Sequence, residues 1–411
     1  MNEWSISQDD VSRTLHLSAA VISPGGVTHR PGGLLAEGGK AVAWGERDAM
    51  QQQHGGDAAW CDHGDVVLMP GLVNAHAHLE LSGIGPLPYG GDFLAWLGDI
   101  RTSLASDEGD PDLQAERFKT ISAAIAASRS AGVDAIGDVT SGHAGWVPPR
   151  MHGMSIVSYL EWFGLGPPWD VIALAGMSAD SDAWTGYGHQ PHAPYSAGPS
   201  VYAAASAAGQ RGLPVCTHLA ESHDEARFVS RGDGPFRDML EGIGKWDDAY
   251  AAHYGQGLSP VRWMEPYLRA TPWLVAHGNY VDDDDLSLLA ETNTSVAFCP
   301  IASAYFLHEG HRYREMLDAG INVCLGTDSV VCQPPEEAQP LGVLPQIRFL
   351  YHRDGTDPDT LFRMATMNGR RALRLDDMVR TLLAVPIDPA DATKPLVQAL
   401  RSDAPGRGVA L

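Results

Sequence analysis

The sequence predicts an α/β protein whose main part is a (β/α)8 barrel of the TIM type. The chain of 411 residues is long enough for one large barrel with an appendage. From Asp65 onward, short apolar runs alternate with stretches that have a helical pattern, and eight such runs can be counted. An open doubly wound sheet is the alternative architecture that the same alternation allows.

Residues 1–64 precede this alternation and are expected to form a small β-structure. The segments RTLHLSAAVIS and KAVAWG alternate roughly between apolar and polar residues, and glycine-rich turns separate them. A short tail, residues 376–411, either adds one or two strands to this β-structure or lies on the surface. The barrel is therefore expected to span residues 65–375.

The predicted barrel strands are the apolar runs themselves. The first, DVVLMPGLVNAHAHL, begins at Asp65 and is continuously apolar, as expected for a strand that is buried on both faces. The other seven follow in chain order: VDAIGDVTS, MSIVSYLEWF, TGYGHQPHAPYS, LPVCTHLAES, TPWLVAHGNYVD, TSVAFCPIAS and INVCLGTDS. Helical patterns separate most of them, as the crossover connections of a parallel barrel require.

Composition and charge narrow the functional class. The chain is 44% hydrophobic and 19% charged, which is typical of a globular protein. Its 28 Lys and Arg residues against 51 Asp and Glu residues give a net charge of −23, which disfavours nucleic-acid and membrane-surface partners. The sequence has no apolar run of the roughly 18 residues that a membrane helix needs, no secretory signal at its start, and no CxxC pair among its five cysteines. A cytoplasmic protein that acts on a small molecule is expected.

Histidine and aspartate residues recur at the ends of the predicted strands. His76 and His78 are two residues apart, so on a strand both imidazoles point the same way. His218, His277 and Asp328 each lie at the end of a later run. In a barrel the carboxyl ends of all strands meet at one mouth, where these side chains become neighbours. Three neutral imidazoles and a carboxylate suit one divalent first-row metal that keeps a position open for water.

Further candidates lie close to these strand ends. Glu221 comes three residues after His218, and a carboxylate beside a metal-activated water can pass its proton to a leaving group. The alternative is an acid near the start of a helix, because ESHDEA is typical of a helix N-terminus. His192 in PHAPYS is a candidate substrate contact, with a hydrogen bond inside the loop as the alternative. Four tryptophans could line a flat-ring pocket or belong to the core: Trp96, Trp146, Trp162 and Trp169.

Other polar residues are expected to have structural or surface positions. The run from Asp282 to Asp285 precedes LSLL, so a solvated helix N-terminus is the interpretation, rather than a cation site. Surface positions are expected for four histidines: His223, His253, His308 and His311.

Several motifs, taken in order and spacing, resemble the amidohydrolase superfamily: PGLVNAHAHLELS, PHAPYS, THLAES, VAHGNYVDDDDLSLLA, VAFCP, GTDS and MATMNGRRAL. The similarity is to its cytosine deaminase and chlorohydrolase-like branch and covers about Asp65 to Leu375. It implies a (β/α)8 barrel that carries a small β-sandwich built from both chain ends. It also implies hydrolysis of C–N bonds, or in some members C–Cl bonds, by metal-activated water. The tail lacks the glycine-rich closing strands of the family, so its half of the β-sandwich is expected to be short.

The resemblance also implies a role for each candidate site residue. The metal ligands would be three imidazoles and one carboxylate: His76, His78, His218 and Asp328. Asp328 would also act as the base, and Glu221 in the HxxE pattern would be the proton shuttle. His277 would hydrogen-bond the attacking water or the substrate instead of the metal, and His192 would contact the substrate.

One divalent ion per chain is expected, with Zn2+ preferred over Fe2+. Members of the family with two metals usually bridge them with a carbamylated lysine at a barrel strand end. None of the four lysines lies at a predicted strand end: Lys40, Lys119, Lys245 and Lys394. The chain could act as a homodimer.

The function expected from these residues is hydrolytic deamination of an aminated heterocycle. Hydroxide attacks a ring carbon that carries an exocyclic amine, Glu221 protonates the adjacent ring nitrogen, and ammonia leaves. An adenine-type ring that stacks on Trp96 and Trp162 is preferred, and aminodeoxyfutalosine is the first candidate substrate. Because that compound carries a benzoate, an arginine is expected to reach the mouth of the pocket. Arg101 and Arg150 are the candidates, and a surface position is the alternative for each.

Other activities stay open at this stage. Within the same chemistry, the chain could deaminate guanine, a pterin or cytosine, hydrolyse a cyclic amide, or displace chloride. From a different class, it could be a metal-free binding protein that kept the fold. The intact ligand set together with Glu221 argues against the last alternative.

Overall fold

The computed structural model describes residues 12–103, 111–141, 147–148, 150–165, 186–334 and 341–411. Within them the backbone forms strands with these bounds: β1 Arg13–Ser18, β2 Ala20–Ile22, β3 Thr28–His29, β4 Gly32–Glu37, β5 Lys40–Glu46, β6 Ala59–Asp62, β7 Val66–Pro70, β8 Leu72–Ala77, β9 Val133–Thr140, β10 Arg150–Met151, β11 Met154–Trp162, β12 Tyr187–Pro191, β13 Cys216–Leu219, β14 Leu274–His277, β15 Ser295–Phe298, β16 Asn322–Leu325, β17 Thr381–Pro386 and β18 Arg407–Ala410.

Helices separate many of these strands. The α-helices of the same residues are α1 Arg47–His54, α2 Phe93–Ser103, α3 Pro111–Ser130, α4 Pro199–Gln210, α5 His223–Arg231, α6 Pro235–Gly242, α7 Pro260–Trp263, α8 Glu265–Ala270, α9 Asp283–Glu291, α10 Pro300–Tyr305, α11 Tyr313–Asp318, α12 Leu344–Asp354, α13 Pro358–Met364, α14 Met367–Ala372 and α15 Pro395–Arg401. Short 3-10 turns occupy Leu79–Gly83, Asp248–Ala252 and Val330–Cys332. None of the helices in the described part of the chain is long and apolar enough to cross a bilayer.

Eight parallel strands form the main part of the structure. β12, β11, β9 and β8 pair side by side in one ladder, and β13 to β16 pair in a second ladder. Isolated parallel bridges connect the two ladders at both seams, His189 with Val215 and Ala77 with Asp328. The arrangement is TIM-barrel-like, and its strands lie in the eight predicted apolar runs.

Apolar side chains fill the space between these strands. One buried cluster takes residues from seven of the eight strands: Val73, Ala75, Ala135, Val157, Tyr159, Cys216, Leu274, Ala297 and Cys324. Most are small, as expected where many strands converge on one axis. Every residue of β9 is buried, so this strand is covered on both faces.

The sequence predicts one continuous strand at the start of the barrel, and this prediction is wrong. DVVLMPGLVNAHAHL splits into β7 and β8, which belong to different sheets. Gly71 separates them at a close backbone approach, because a Cβ there would lie 2.7 Å from the carbonyl oxygen of Thr381. Both strands are fully buried, so the apolar pattern continues across the break and conceals it.

Two further sheets come from the chain ends. The outer sheet has the strand order β5-β4-β1-β6, and the joining sheet has the order β18-β17-β7-β2-β3. β17 pairs antiparallel with both β7 and β18, so the tail adds two strands instead of lying on the surface. Leu34 of the outer sheet shares one buried cluster with Leu68 and Leu382 of the joining sheet. On the opposite face of the outer sheet, Met50 of α1 clusters with Leu15 of β1.

Candidate metal centre and active site

Four imidazoles and one carboxylate meet at the carboxyl ends of the parallel strands. His76 Nε2 lies 3.7 Å from Asp328 Oδ1, and His78 Nε2 lies 3.5 Å from the same oxygen. The Nε2 atoms of His78 and His218 are 3.3 Å apart. The His277 ring lies 5.4 Å from the His76 ring, centroid to centroid. The structure therefore brings together the four predicted metal ligands and His277.

The backbone has an uncommon conformation at two of these positions. His277 has φ of 72° and Asp328 has φ of 61°, in the left-handed region that residues other than glycine rarely adopt. Asp328 is held there by its N–H, which donates to the His76 carbonyl at 3.1 Å, and by its carbonyl, which accepts from the His78 N–H at 2.9 Å. Such conformations cost about 1–3 kcal/mol each and concentrate at functional sites.

The Asp328 carboxylate is buried and ionised. Burial alone would raise its pKa, but the surrounding imidazoles of His76, His277 and His78 favour the charged carboxylate and hold the pKa of Asp328 well below its usual range. The Cys332 thiol donates to Oδ2 at 3.2 Å, while Oδ1 faces the imidazoles. An ionised carboxylate with one oxygen facing the cluster can act as a metal ligand and as a base.

The imidazoles of His78, His218 and His277 are neutral at physiological pH. Burial lowers the pKa of His78 to about 4 and that of His277 to about 3, and it holds the pKa of His218 well below its usual value. His218 Nδ1 lies 3.0 Å from the His192 carbonyl oxygen, so Nδ1 carries the hydrogen and Nε2 keeps its lone pair.

A divalent metal fits this set of donors. Both ring nitrogens of His76 and Nε2 of His277 are buried without a hydrogen-bond partner among the described residues. Buried polar atoms without partners call for an explanation, and a bound ion is one that neutral imidazoles and an ionised carboxylate support.

Glu221 is buried and faces the same space. Its Oε1 lies 3.5 Å from His277 Nε2. Burial, together with the nearby carboxylates of Asp328 and Glu225, holds the pKa of Glu221 well above its usual range. A carboxyl group with a raised pKa keeps its proton closer to neutral pH, and it can therefore deliver that proton to a reacting group.

The alternative role predicted for Glu221 was that of an acid near the start of a helix. Its neighbours fill that role in the structure. Ser222 is the N-cap of α5 and accepts from the Glu225 N–H. The Glu225 carboxylate accepts from the N–H groups of Ala220 and Glu221 at 2.9 and 2.8 Å, and the Asn279 side chain donates to the Glu221 carbonyl at 3.0 Å. These bonds fix the Glu221 backbone. Its side chain takes no part in them and is available to the candidate site.

His192 lies directly after β12 and beside His218, with the ring centroids 4.9 Å apart. Its Nδ1 is 2.5 Å from Ser196 Oγ, and its Nε2 is 3.8 Å from Glu161 Oε1. Phe163 stacks on its ring, and burial lowers the pKa of His192 to about 3. The loop hydrogen bond is therefore present, and His192 also borders the cluster of candidate metal ligands, so its contact with a substrate stays a prediction.

Three polar residues with buried oxygen atoms near the strand ends were not predicted. Glu161 of β11, Gln190 of β12 and Asp138 of β9 each have a side-chain oxygen that is buried without a hydrogen-bond partner among the described residues. Burial raises the pKa of Glu161 and of Asp138 well above the usual range. The available signal was a polar residue near the end of an otherwise apolar run, as in MSIVSYLEWF.

Two of the four candidate tryptophans lie in the described residues, and their surroundings differ. Trp96 is buried, stacks on Phe93 with ring centroids 5.9 Å apart, and meets Phe306 edge to face at 4.6 Å. Trp162 is half-buried at the end of β11, and its Nε1 donates to His189 Nδ1 at 3.0 Å. The two other candidates lie outside the described residues: Trp146 and Trp169.

One of the two predicted arginine positions is wrong. Arg150 pairs with Ser155 near the beginning of β11, at the end of the barrel strands opposite to the mouth. Arg101 lies exposed in the last turn of α2. A third arginine, Arg117 of α3, has its guanidinium 3.8 Å from Glu80, which follows β8 at the mouth. Sequence alone could not reveal Arg117, because helix packing sets its position.

Two of the four predicted surface histidines are half-buried instead. His308 Nδ1 lies 2.7 Å from the Tyr280 hydroxyl, and His311 Nε2 donates to the His277 carbonyl at 2.9 Å. Both follow α10, where the chain folds back over the end of β14. The other two histidines are exposed, as predicted: His223 and His253.

The chain belongs to the amidohydrolase family, whose model matches residues 174–382, just over half of the 411 residues. The fold and the site fit that assignment, and the family together with the similar proteins below supports a hydrolase that acts on carbon–nitrogen bonds. The chain is therefore such a hydrolase.

Similar proteins of assigned function are deaminases. An aminodeoxyfutalosine deaminase of Deinococcus radiodurans is 26% identical over 385 residues, which cover 85% of this chain and 82% of the relative. A 5-methylthioadenosine/S-adenosylhomocysteine deaminase of Symbiobacterium thermophilum is 26% identical over 310 residues, which cover 72% of this chain and 64% of the relative.

Solved structures share the fold. Helicobacter pylori aminofutalosine deaminase in complex with methylthio-coformycin has a TM-score of 0.75 and 17% identity, over 96% of this chain and 97% of that one. Atrazine chlorohydrolase from Arthrobacter aurescens, complexed with zinc, has a TM-score of 0.70 and 17% identity, over 94% and 91%. At these identities the likeness concerns the fold alone, and it agrees with a TIM-barrel-like domain.

Proposed function

We propose that this chain is a metal-dependent hydrolytic deaminase that removes the exocyclic amine of an adenine-type ring. One observation carries the proposal: Glu221, with its raised pKa, lies 3.5 Å from His277 and borders the ligand cluster that contains the ionised Asp328. Deamination of a cyclic amidine needs an activated water and also an acid for the ring nitrogen, and two carboxyls with opposite pKa shifts can fill these roles.

The proposed metal ligands are the three imidazoles and the carboxylate that the sequence singles out: His76, His78, His218 and Asp328. The ion would lower the pKa of a water to about 7, so that attack occurs at neutral pH. We propose one ion per chain, with Zn2+ preferred over Fe2+ for this donor set. The four lysines lie away from the barrel strand ends, Lys40 on β5, Lys119 in α3, Lys245 after α6 and Lys394 before α15, so no lysine is available to bridge a second ion.

The chain's own residues would manage the protons. Asp328 is ionised and would accept the proton of the attacking water while orienting it. Glu221 would deliver its proton to the ring nitrogen beside the carbon under attack. His277 would hydrogen-bond the oxygen at the tetrahedral carbon, since its Nε2 is free of other described partners. Proton delivery to the amine then releases ammonia.

Aminodeoxyfutalosine is the first candidate substrate, and 5-methylthioadenosine and S-adenosylhomocysteine are the second. The names of the two deaminase relatives support both choices. Arg117 at the mouth offers a guanidinium to the carboxylate of aminodeoxyfutalosine or of S-adenosylhomocysteine. His192, Trp96 and Trp162 are the proposed contacts with the rest of the substrate.

The proposal also covers the fold of the enzyme, its domain boundary, its cellular location and its assembly. The bridges at both seams and the interior cluster support a closed (β/α)8 barrel that ends at residue 375. The cluster around Leu34 supports a β-sandwich made by the outer and joining sheets. Because β7 lies in the joining sheet, we move the domain boundary from residue 64 to Gly71. Free cysteines favour a cytoplasmic location, and a homodimer is the assembly to test.

The test is a substrate panel on purified, metal-loaded protein. It contains aminodeoxyfutalosine, 5-methylthioadenosine, S-adenosylhomocysteine, guanine, a pterin, cytosine and a chlorotriazine. Turnover is scored by ammonia, by chloride for the chlorotriazine, and by the shift of purine absorbance to the hypoxanthine form. Turnover of an adenine-type compound is expected. Turnover of only the other compounds would overturn the substrate choice, and binding without any turnover would favour a non-catalytic protein.

A further inference from the structure

The outer sheet carries a second cluster of metal-ligating side chains, separate from the barrel mouth. His16 lies on β1, Cys61 lies on β6, and His63 follows directly after β6. One nitrogen or sulfur atom from each lies within 4.8 Å of those of the other two. The proposed deamination uses none of these residues.

Strand geometry brings the three side chains to one face. His16 and Cys61 are directly opposite each other in the parallel register of β1 and β6. The His63 N–H donates to the Leu17 carbonyl at 2.8 Å, so the pairing of the strands continues past Asp62. Since His63 is two residues after Cys61, it points to the same side of the sheet.

The position of His16 calls for a polar partner. It is 5% exposed and lies opposite Leu34, on the face of the outer sheet that turns toward the joining sheet. A buried polar group on an apolar face costs free energy unless it is paired. Its Nδ1 is 2.9 Å from His63 Nε2, and the two rings stack with centroids 5.2 Å apart. Burial, with a smaller effect of His63, lowers the pKa of His16 to about 4, so the ring is neutral at physiological pH.

We propose that His16, Cys61 and His63 bind one divalent first-row cation of the Zn2+ type, with water in the fourth position. Thiolate sulfur and imidazole nitrogen are ligands that such ions accept. Tetrahedral coordination places two imidazole nitrogens about 3.3 Å apart, slightly more than the present His16–His63 separation. Cys61 and His63 are half-buried, so solvent reaches the site. On binding, the Cys61 thiol releases its proton to solvent.

The role of the ion would be structural. β6 is the edge strand of the outer sheet and pairs only with β1 within the described residues. An ion held by His16 on one side and by Cys61 and His63 on the other would tie this edge strand to the sheet. Binding to the folded chain alone would stabilise it in proportion to the logarithm of the metal concentration.

Arg407 of β18 opposes binding. Its Nη2 lies 3.5 Å from His63 Nδ1, so the guanidinium favours the tautomer in which His63 Nε2 carries the hydrogen. Metal binding at Nε2 requires the other tautomer and places a second positive charge nearby. The Arg407 side chain is exposed and its contact is long, so it can move aside. Arg407→Gln should therefore tighten metal binding by up to about fivefold.

The experiment uses Co2+ and the full-length protein, stripped of metal with a chelator. A thiolate bound to Co2+ gives a near-ultraviolet charge-transfer band, whereas the proposed ligands at the barrel mouth are nitrogen and oxygen atoms. The wild type should take two equivalents of Co2+ and show the band. Cys61→Ala should take one equivalent, lose the band and keep deaminase turnover. Cys324→Ala, which changes a buried cysteine of β16, is the matched control and should keep the band.

His63→Gln is the second variant, and near-ultraviolet circular dichroism verifies that each variant is folded. It should lose the band, and wild-type protein should gain thermal stability from Co2+ that both His63→Gln and Cys61→Ala lack. Absence of the band in the wild type, or a band that survives Cys61→Ala, would overturn the proposal. Failure of the barrel-mouth proposal gives a different result, namely a thiolate band without deaminase turnover.

Discussion

At the barrel mouth and on the outer sheet, two ligating side chains spaced by one residue meet a third from another strand. The pairs are His76 with His78 in the first region and Cys61 with His63 in the second. In each pair the alternation of strand side chains directs both groups to one side. A short sequence pattern therefore establishes the same local geometry in both regions, and it cannot distinguish a catalytic centre from a structural one.

The two regions differ in the carboxyl groups around the ligands. At the mouth, Asp328 is ionised while the pKa of Glu221 is raised, so a base and an acid stand side by side. On the outer sheet, Asp62 belongs to the opposite face and forms an ion pair with Arg47 at 2.9 Å. The comparison suggests the feature that would separate a catalytic site from a structural one, namely two carboxyls whose pKa values are pushed apart beside the candidate ligands.

The largest effect expected from a single substitution is that of Asp328→Asn. Turnover should fall by about 10⁴-fold or more, because the change removes the proposed metal ligand and the proposed base together. Metal content should fall as well. Cys61→Ala, which removes a proposed ligand of the outer sheet, should leave turnover unchanged. Ammonia release measures turnover, and elemental analysis measures metal content. Near wild-type turnover in Asp328→Asn would show that the barrel mouth is not the catalytic centre.

Glu221→Gln should have the next largest effect. The amide has a similar shape but no proton of suitable acidity, so kcat should fall by about 10²–10⁴-fold while the metal content stays at the wild-type level. Asp284→Asn, an exposed acid in α9, is the matched control and should keep the wild-type rate. If Glu221→Gln turned over an authentic substrate at that rate, another group would have to supply the proton.

Some features of the fold and of the candidate site could be predicted from the sequence, and others could not. The barrel strands and the cluster of His76, His78, His218 and Asp328 were predictable, because strand ends in a parallel barrel converge whatever the intervening sequence. The break at Gly71 was not, since buried strands of two different sheets have the same apolar pattern.

Residues positioned by packing escaped prediction. Arg117 reaches the mouth from a helix, and His308 is covered through its contact with Tyr280, a loop residue. Glu161 is polar at the end of an apolar strand, and only its burial identifies it as more than a surface acid. Neither periodicity nor spacing contains this information, because it depends on how helices and loops pack over the strand ends.

Arg117→Met should distinguish substrates that carry a carboxylate from those that do not. The KM for aminodeoxyfutalosine or S-adenosylhomocysteine should rise by about tenfold to a hundredfold, since hydrogen bonds to charged groups contribute about 1.5–3 kcal/mol. The KM for 5-methylthioadenosine, which lacks a carboxylate, should change little. Arg101→Met is the matched control at an exposed arginine. An equal rise in KM for all three substrates would indicate a structural role for Arg117 through its contact with Glu80.

The smallest expected effect is on the pH dependence of the free energy of unfolding. It can be compared for one histidine from each region. Burial lowers the pKa of His16 on the outer sheet and of His308 near the mouth to about 4 each. An unfolded histidine has a pKa of about 6.5, so between these values the unfolded chain binds more protons and the free energy of unfolding falls as the pH falls. From pH 7 to about pH 5.5, each histidine should remove roughly 0.5–1 kcal/mol, after allowance for solvent screening.

Denaturant unfolding of His16→Gln and His308→Gln at both pH values measures these contributions. In metal-free protein, each substitution should reduce the loss of stability on acidification by a similar amount. Added Zn2+ should separate the two variants, because binding at the outer sheet requires loss of the Cys61 proton and weakens as the pH falls, and only His16→Gln lacks a ligand of that site. The stability of the wild type and of His308→Gln should therefore become more pH-dependent with Zn2+ than that of His16→Gln, since the barrel mouth contributes equally in all three proteins. An identical response of both variants to Zn2+ would mean that the outer sheet holds a stacked histidine pair and no ion.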